Sequence, residues 1–555
     1  MSTSSSSERR LPDLPETPDV TGAYPRLTDE QIMLLSQYGE RRTLTTGTTL
    51  FCAGDRDCGL FVVLDGKVQV VQEEASEGAS RVLAVHGRGR FVGDLSMLTG
   101  QAVYVTAVAQ TDVEVLEVGY DRLREAVTQD QALGDLILRA FILRRSIHAD
   151  LGAGLRIIGS RYSADTRRLR DFASRNRIPC RWEDLEEDPD AELTLRALDI
   201  PPDQTPVVIW KGQTVLRNPS TTELADLLGL RAAPSRSAYD LVVVGAGPGG
   251  LAAAVYAASE GLSTVVLDEF ATGGQAATSS QIENYLGFPA GISGAELADR
   301  AVVQARKFGA AFSVPGEATS LTQVEGYHVV GLAEGDDLVA HAVLVATGAR
   351  YRRLDLPGMD RLERSSVYYA ATEFEARLCR QDPVTVVGGG NSAGQAACFL
   401  ARRAPEVNLV IRHDDLGRDM SRYLADRVEQ SPRITIWRHR EVAELIGDAG
   451  LDEVVLRDLR SGEMERVATT ALFVLIGAAP HTGWLDGEIA LDDKGFVLTG
   501  PAAGRPDGTF ETRRRGVFAV GDVRSGSVKR VASAVGEGAM AVRLVHEYLE
   551  SAGRR

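Results

Sequence analysis

The segment YDLVVVGAGPGGLAAAVYAASEGLSTVVLDE, residues 239–269, restricts the fold more than any other part of the chain. An apolar, β-branched run leads directly into Gly245, Gly247 and Gly250, an Ala-rich stretch follows, and a second apolar run ends at Asp268. This order predicts a buried strand, a glycine turn, a helix and a parallel strand. Gly245 permits the tight turn, Gly247 lets the backbone approach a pyrophosphate at the helix N-terminus, and Gly250 allows close helix–strand packing. Asp268 is placed to accept a hydrogen bond from a ribose hydroxyl. Together they predict a dinucleotide site.

A second copy of the pattern, PVTVVGGGNSAGQAACFLARRAPEVNLVIRH, sets Gly388 and Gly390 after a strand, with Asn391, Ser392 and Ala393 opening the helix. Two such folds imply two dinucleotides. Hydride transfer between a nicotinamide and a flavin needs this pairing, because the protein has to bring two reactive rings together.

The chain has 555 residues, enough for three to five domains. No apolar run reaches the roughly 20 residues that span a bilayer, and the opening residues carry no secretory pattern, so the expected compartment is the cytoplasm. A net charge of −16 argues against a nucleic-acid partner. The five cysteines, Cys52, Cys58, Cys180, Cys379 and Cys398, include no C-x-x-C and no zinc spacing, so no metal site is expected. Small and polar residues near 150 (HADLGAGL) and over 232–238 (AAPSRSA) suit linkers. Strand-like runs such as LFVVLDGKVQVVQ and TDVEVLEVGY precede the first linker and are closed by one helical pattern, DRLREAVTQDQALGDLILRAFILRR.

Residues 238–555 resemble the low-molecular-weight thioredoxin reductases, and several motifs carry the likeness. Gly273, Gly274 and Gln275 match the family's GGQ; Glu283, Asn284, Tyr285, Gly287 and Phe288 match its E-N-Y-x-G-F stretch. Ala346, Thr347 and Gly348 match its ATG crossover, and Gly521 and Asp522 its late G-D pair. The resemblance implies that FAD occupies the first fingerprint, lined by Gln275 and Asn284, with Asp522 on the ribityl chain. It implies a nicotinamide cofactor on the second, where Arg412 and Arg418 would read the 2′-phosphate of NADPH. Asp414 and Asp415 interrupt that basic cluster and keep NADH open as an alternative.

That family places a C-x-x-C just before the second fingerprint. This chain has Ala370, Ala371, Thr372 and Glu373 there, so the thiol relay cannot run through the segment. Glu373 and Asn284 are the catalytic candidates; Glu373 could exchange a proton beside the flavin, or simply be a solvated or helix-capping carboxylate. Cys379 and Cys398 read as packing residues, and the chain looks closer to relatives that pass flavin electrons to an external acceptor.

Residues 155–232 resemble the thioredoxin and glutaredoxin fold, with Thr205-Pro206 at the cis-proline position and GSRYSADT where that family carries its cysteines. A docking or dimerisation element is expected there, with a glutathione-like groove as an alternative. Residues 25–150 resemble cyclic-nucleotide-binding domains, with FVGDLSMLTGQAVYVTA as the phosphate cassette. Asp94 stands for the family's ribose-binding Glu, and Val103 for its phosphate-binding Arg, which removes a charge-assisted contact.

The expected architecture is thus multi-domain: a disordered leader (1–24), a β-roll with a C-terminal helix (25–150) and a thioredoxin-like α/β module (155–232). A Rossmann-like FAD domain in two pieces (238–362 and 485–555) follows, interrupted by a Rossmann-like NAD(P)H domain (363–484). The expected activity is FAD-dependent NAD(P)H oxidation with an unidentified small molecule or redox protein as acceptor, in a homodimer without membrane or nucleic-acid partners. A slow flavin-based redox sensor is the alternative from another class.

Overall fold

The computed structural model describes residues 14–56, 58–73, 80–99, 101–211, 214–231, 236–279, 281–362, 365–369, 371, 376, 379, 382–448, 450–485, 487, 489–506 and 509–553. The chain forms two compact units that meet in sequence between Arg231 and Ala232.

The first unit opens with two four-stranded antiparallel sheets. One orders Glu40–Leu44, Val113–Val118, Leu60–Asp65 and Phe91–Val92; the other orders Thr49–Phe51, Thr106–Ala109, Val68–Glu73 and Ser80–His86. Val62, Val115 and Leu116 are buried. The single helical pattern divides into Tyr120–Gln129 and Gln131–Asp150, because Asp130 takes extended backbone and its carboxylate accepts from the Leu133 amide at 2.8 Å. Residues 14–24, expected in the leader, lie against the roll. Thr17 N donates to Val85 O at 3.1 Å, Thr17 Oγ1 accepts from Val85 N at 2.9 Å, and Ala23 and Tyr24 are buried. Burial of that pair gives the segment an anchor that its Pro-rich composition hides.

From Leu155 the unit continues as a four-stranded sheet ordered Cys180–Glu183, Leu155–Ile158, Val207–Trp210 and Thr214–Arg217. Its first pair is parallel and its others antiparallel. Helices Ala164–Arg175, Pro189–Ala197 and Thr221–Leu228 accompany it, and Thr205-Pro206 is cis. Tyr104 of the roll packs edge-on to Trp210 with ring centroids 5.6 Å apart, joining the two cores of this unit.

The second unit holds a seven-stranded sheet. Ala311–Ser313, Thr264–Leu267, Tyr239–Val244 and Leu338–Val345 lie in parallel order, followed by Tyr327–Leu332 and Ala318–Val324. Val517–Ala519 pairs in parallel with Leu338–Val345, so two distant pieces of chain build one sheet. Between them lies a five-stranded parallel sheet ordered Val367–Tyr368, Ala471–Val474, Val384–Val387, Val407–Ile411 and Ile434–Arg438, with a three-stranded antiparallel sheet beside it in sequence. The chain leaves and re-enters the larger domain through a two-stranded ribbon, Ala349–Tyr351 against Ala478–Pro480. Met359 and Leu362 pack in a core with Val387 and Val474, and Trp484 packs with Val242 and Val517. Met359 and Leu362 thus share a core with the inserted sheet, and Trp484 with the larger one.

Candidate cofactor sites

The strand Tyr239–Val244 ends in Gly245 at φ +110°, a conformation that L side chains rarely adopt, and a Cβ there would stand 2.2 Å from Ala346 O. Gly247 is the N-cap of helix Pro248–Ser259, without a side-chain cap, and open space lies where its Cβ would be. The helix thus presents its first amides uncapped beside a Cβ-free surface, as close approach of a pyrophosphate requires. A Cβ on Gly250 would stand 1.9 Å from Gly245 O, so this helix can rest on the turn only without one.

Other predicted residues gather at the same turn. Gly273 N donates to Ala246 O at 2.7 Å, and a Cβ on Gly274 would stand 3.0 Å from Gly247 Cα, so the GGQ turn sits on the fingerprint. Gln275 Nε2 bonds to Ala349 O, which ties GGQ to the ribbon. Thr347 Oγ1 donates to His481 O at 2.8 Å, and His481 N donates to Gly348 O at 3.1 Å, clamping the ribbon's base. Half-buried Asp268 is committed to its own loop: its oxygens accept from the amides of Ala246, Phe270 and Ala271 at 2.8, 3.0 and 3.1 Å. Burial raises its pKa against those three amides, and lone-pair capacity for one ribose hydroxyl remains.

Asp522 follows strand Val517–Ala519. Its neighbour Gly521 donates to Glu537 Oε2 at 2.7 Å, and Arg524 Nη2 pairs with Glu537 Oε1 at 2.6 Å. The Glu537–Arg524 pair fixes the turn while the Asp522 carboxylate accepts no hydrogen bond from the described residues, and burial raises its pKa. Glu537 escaped the sequence reading because nothing local links a helical Glu to a turn 16 residues earlier. Its helix, Val531–Ser551, crosses Pro248–Ser259 where a Cβ on Gly538 would stand 2.2 Å from Gly249 O.

Asn284 is exposed on a loop closed by the Ile282–Ile292 bridge, and no described contact brings it to the fingerprint. Its neighbour Glu283 pairs at 3.1 Å with Arg427, on helix Arg422–Glu429 of the inserted domain. Glu373, Ala370 and Thr372 lie outside the described residues. Cys379 is buried, and burial pushes the Cys398 thiol up and the Cys180 thiol to about 11.

In the inserted domain Gly388, at φ +143°, would bring a Cβ within 2.3 Å of Leu475 O, and Gly390 is the uncapped N-cap of helix Asn391–Leu400. Ala393 is buried beneath the turn; Ser392 is exposed. Asn391 Oδ1 accepts from Ser421 N at 2.7 Å, fastening the helix start to the loop that carries the basic cluster. Arg412 and Arg418 are exposed and make no described ion pair, whereas Asp415 accepts from Gly417 N at 2.8 Å and Asp419 pairs with His413 at 3.2 Å. Two of the nearby carboxylates are therefore occupied locally.

The family model described as pyridine nucleotide-disulphide oxidoreductase matches residues 239–538, more than half of the chain. The chain belongs to this family. A cyclic nucleotide-binding domain model matches residues 41–130 of this pyridine nucleotide-disulphide oxidoreductase. A thioredoxin reductase of Streptomyces clavuligerus is 33% identical over 311 residues, covering 56% of this chain and 94% of its own length. The NADPH-dependent thioredoxin reductase 3 of Arabidopsis thaliana is 32% identical over 358 residues, 61% of this chain and 66% of its own. The solved thioredoxin reductase of Lactococcus lactis (FR conformation) superposes with a TM-score of 0.53 at 27% identity, over 56% of this chain and 99% of its own; that of T. acidophilum gives 0.52 at 29%, over 57% and 99%. The family uses FAD and NADPH, and this member is an FAD-dependent NAD(P)H oxidoreductase of thioredoxin reductase type. The uncapped helix starts, the glycine surfaces and the available Asp522 carboxylate fit such dinucleotides. Among the described residues no helix is long and apolar enough to cross a membrane.

Proposed function

We propose that the chain oxidises NADPH and delivers the electrons to an external acceptor without an internal redox disulfide. The carrying observation is the Ala370-Ala371-Thr372-Glu373 tetrad where the resemblance places C-x-x-C. Alanine holds no electrons and a carboxylate does not exchange with a disulfide. When bound, the nicotinamide and FAD supply the hydride-donor and hydride-acceptor rings.

The chain's own residues bind and orient. The amides after Gly247 take the FAD pyrophosphate, Asp268 one ribose hydroxyl and Asp522 the ribityl chain; Gln275, Asn284, Thr347 and Gly348 line the flavin. Gly388, Gly390, Asn391, Ser392 and Ala393 form the nicotinamide cofactor's phosphate turn, and Arg412 and Arg418 favour NADPH over NADH. Glu373 serves as a proton donor or acceptor beside the flavin. The raised thiol pKa values of Cys180 and Cys398 leave little thiolate at neutral pH, which speaks against a relocated relay.

Residues 155–232 act as a thioredoxin-like docking or dimerisation module; their β-α-β-α-β-β-α order supports that reading. The acceptor is a small molecule or a redox protein, and the relatives' names make a thioredoxin with its own cysteine pair one candidate. The enzyme works as a homodimer.

Purified protein should be yellow and release FAD on denaturation. Anaerobic dithionite titration should reach full reduction after about one two-electron equivalent per flavin, since no dithiol shares the charge. About two equivalents, with thiol labelling assigning the extra pair to Cys379 and Cys398 or to Cys180, would overturn this account.

A further inference from the structure

The segment of the β-roll that would receive a ligand phosphate is spent on protein. Asp94, at the ribose position, accepts from Ser96 N at 2.7 Å and lies 3.9 Å from Arg145 Nη2. Val103, at the position of the phosphate cation, is buried; its amide donates to Asp55 O at 3.0 Å and its carbonyl accepts from Gly54 N at 2.6 Å. Ser96 Oγ donates to Ala102 O at 2.9 Å and accepts from Arg145 Nη2 at 2.9 Å. The cassette and the 52–56 turn beside it are therefore braced into one surface.

Residues 155–231 sit on that surface, within the same compact unit. Ala102 N donates to Leu228 O at 3.4 Å, and Arg56 Nη2 donates to Asp226 O at 3.0 Å. Both acceptors are carbonyls in the last turn of helix Thr221–Leu228, where intrahelical donors run out, and a guanidinium at that end also suits the helix dipole. Gly229, at φ +70°, ends the helix, and a Cβ there would stand 2.7 Å from Arg56 Cζ, so the guanidinium lies directly on the cap. Tyr104, next after Val103, is 3% exposed and belongs to one core with Leu155, Ile157, Leu224 and Leu228. Its ring stands edge-on to Trp210, and the Arg145 guanidinium lies 5.1 Å from its centroid. Buried aromatic rings dominate the energetics of such contacts, which makes Tyr104 the anchor and Arg56 the rim.

We propose that the phosphate cassette is the seat of the module: the roll's resident partner is residues 155–231 of its own chain, in place of a cyclic nucleotide. Seating makes roll and module open as one body, with Tyr104 carrying strain from either side to the other.

Hydrogen exchange of the full chain, read peptide by peptide, tests this. Tyr104→Ala should speed exchange about tenfold or more in the module strands Leu155–Ile158 and Val207–Trp210, while Tyr104→Phe, which keeps the ring, should match the wild type. In the reverse direction, Trp210→Ala should speed exchange of residues 101–106. Arg56→Ala, a change at the rim that leaves both cores intact, should speed the same module strands by less than Tyr104→Ala does. Should the aromatic variants fail to fold by circular dichroism, Arg56→Ala decides alone. Millimolar cyclic AMP should leave exchange of residues 101–106 as it was. Effects that stay on the side of the substitution, or protection of 101–106 by cyclic AMP, would overturn the seat.

Discussion

Replacing Gly538 with alanine strikes the flavin cradle from a distance. The new Cβ would lie 2.2 Å from Gly249 O and 3.2 Å from the Ala252 side chain. Gly249 O belongs to a helix backbone that cannot swing aside, so the two helices have to part by about 1 Å to restore ordinary contact. Overpacking of this kind costs about 1–3 kcal/mol. Alanine also gains about 1 kcal/mol of helix propensity over glycine, leaving a net loss of about 0–2 kcal/mol. The parting falls one residue from Glu537, which holds Gly521 and Arg524, so the loss should appear in FAD affinity as well as in stability. Gly536→Ala is the internal control, because nothing lies within 4 Å of its Cβ and it receives only the propensity gain. Fluorescence titration of apoprotein with FAD, with thermal unfolding in parallel, should show weaker flavin binding for Gly538→Ala and a slightly raised Tm for Gly536→Ala. Equal flavin affinity in both variants would refute the claim that this crossing positions Asp522.

Arg412→Ala should raise KM for NADPH about tenfold while moving that for NADH less than about twofold, since only the former carries the phosphate that a guanidinium pairs with; steady-state kinetics with both nucleotides checks this. Calorimetry should detect no submicromolar cyclic AMP binding, because Val103 replaces the cassette cation. The β-roll should lose stability as pH falls. Burial depresses the folded pKa of His148 from 6.5 to about 4, so the unfolded chain binds the proton first, and stability present above pH 6.5 is lost down to about pH 4. The total is roughly 3 kcal/mol for that residue. Hydrogen exchange localised to the roll should follow this slope, and His148→Gln should flatten it.

Both glycine turns could be read from the chain because their requirements are local: a positive φ at Gly245 and Gly388, and a missing Cβ at Gly250, leave marks within a few residues. The alternation of parallel strands with helices could be inferred from apolar runs and helical stretches. What escaped was non-local. Asp130 reads as one more polar residue on a helix until its extended backbone is seen, and residues 14–24 read as a leader until Tyr24 is found buried. Glu537 and Gly538 act across more than a dozen residues of sequence, and the stacking of buried Arg144 on Tyr24, Phe91 and Phe141 emerges only when a helix and two sheets are folded together. Asn284, singled out by a motif, stands exposed on a loop.

The split construction of the larger domain also has a consequence for how the chain is made. Strand Val517–Ala519 completes a sheet begun at Tyr239, and Val520, the next residue, lies against the fingerprint helix, its side chain 3.2 Å from where a Cβ on Gly249 would stand. A ribosome delivers these halves far apart in time, with the whole inserted domain emerging between them. That domain has its own parallel sheet and core, so it can fold while the first half waits with an unfilled sheet edge beside Leu338–Val345. Flavin can be gripped fully only after the last strand docks, which makes cofactor capture a late event in the life of the nascent chain and FAD supply a determinant of how much of it survives.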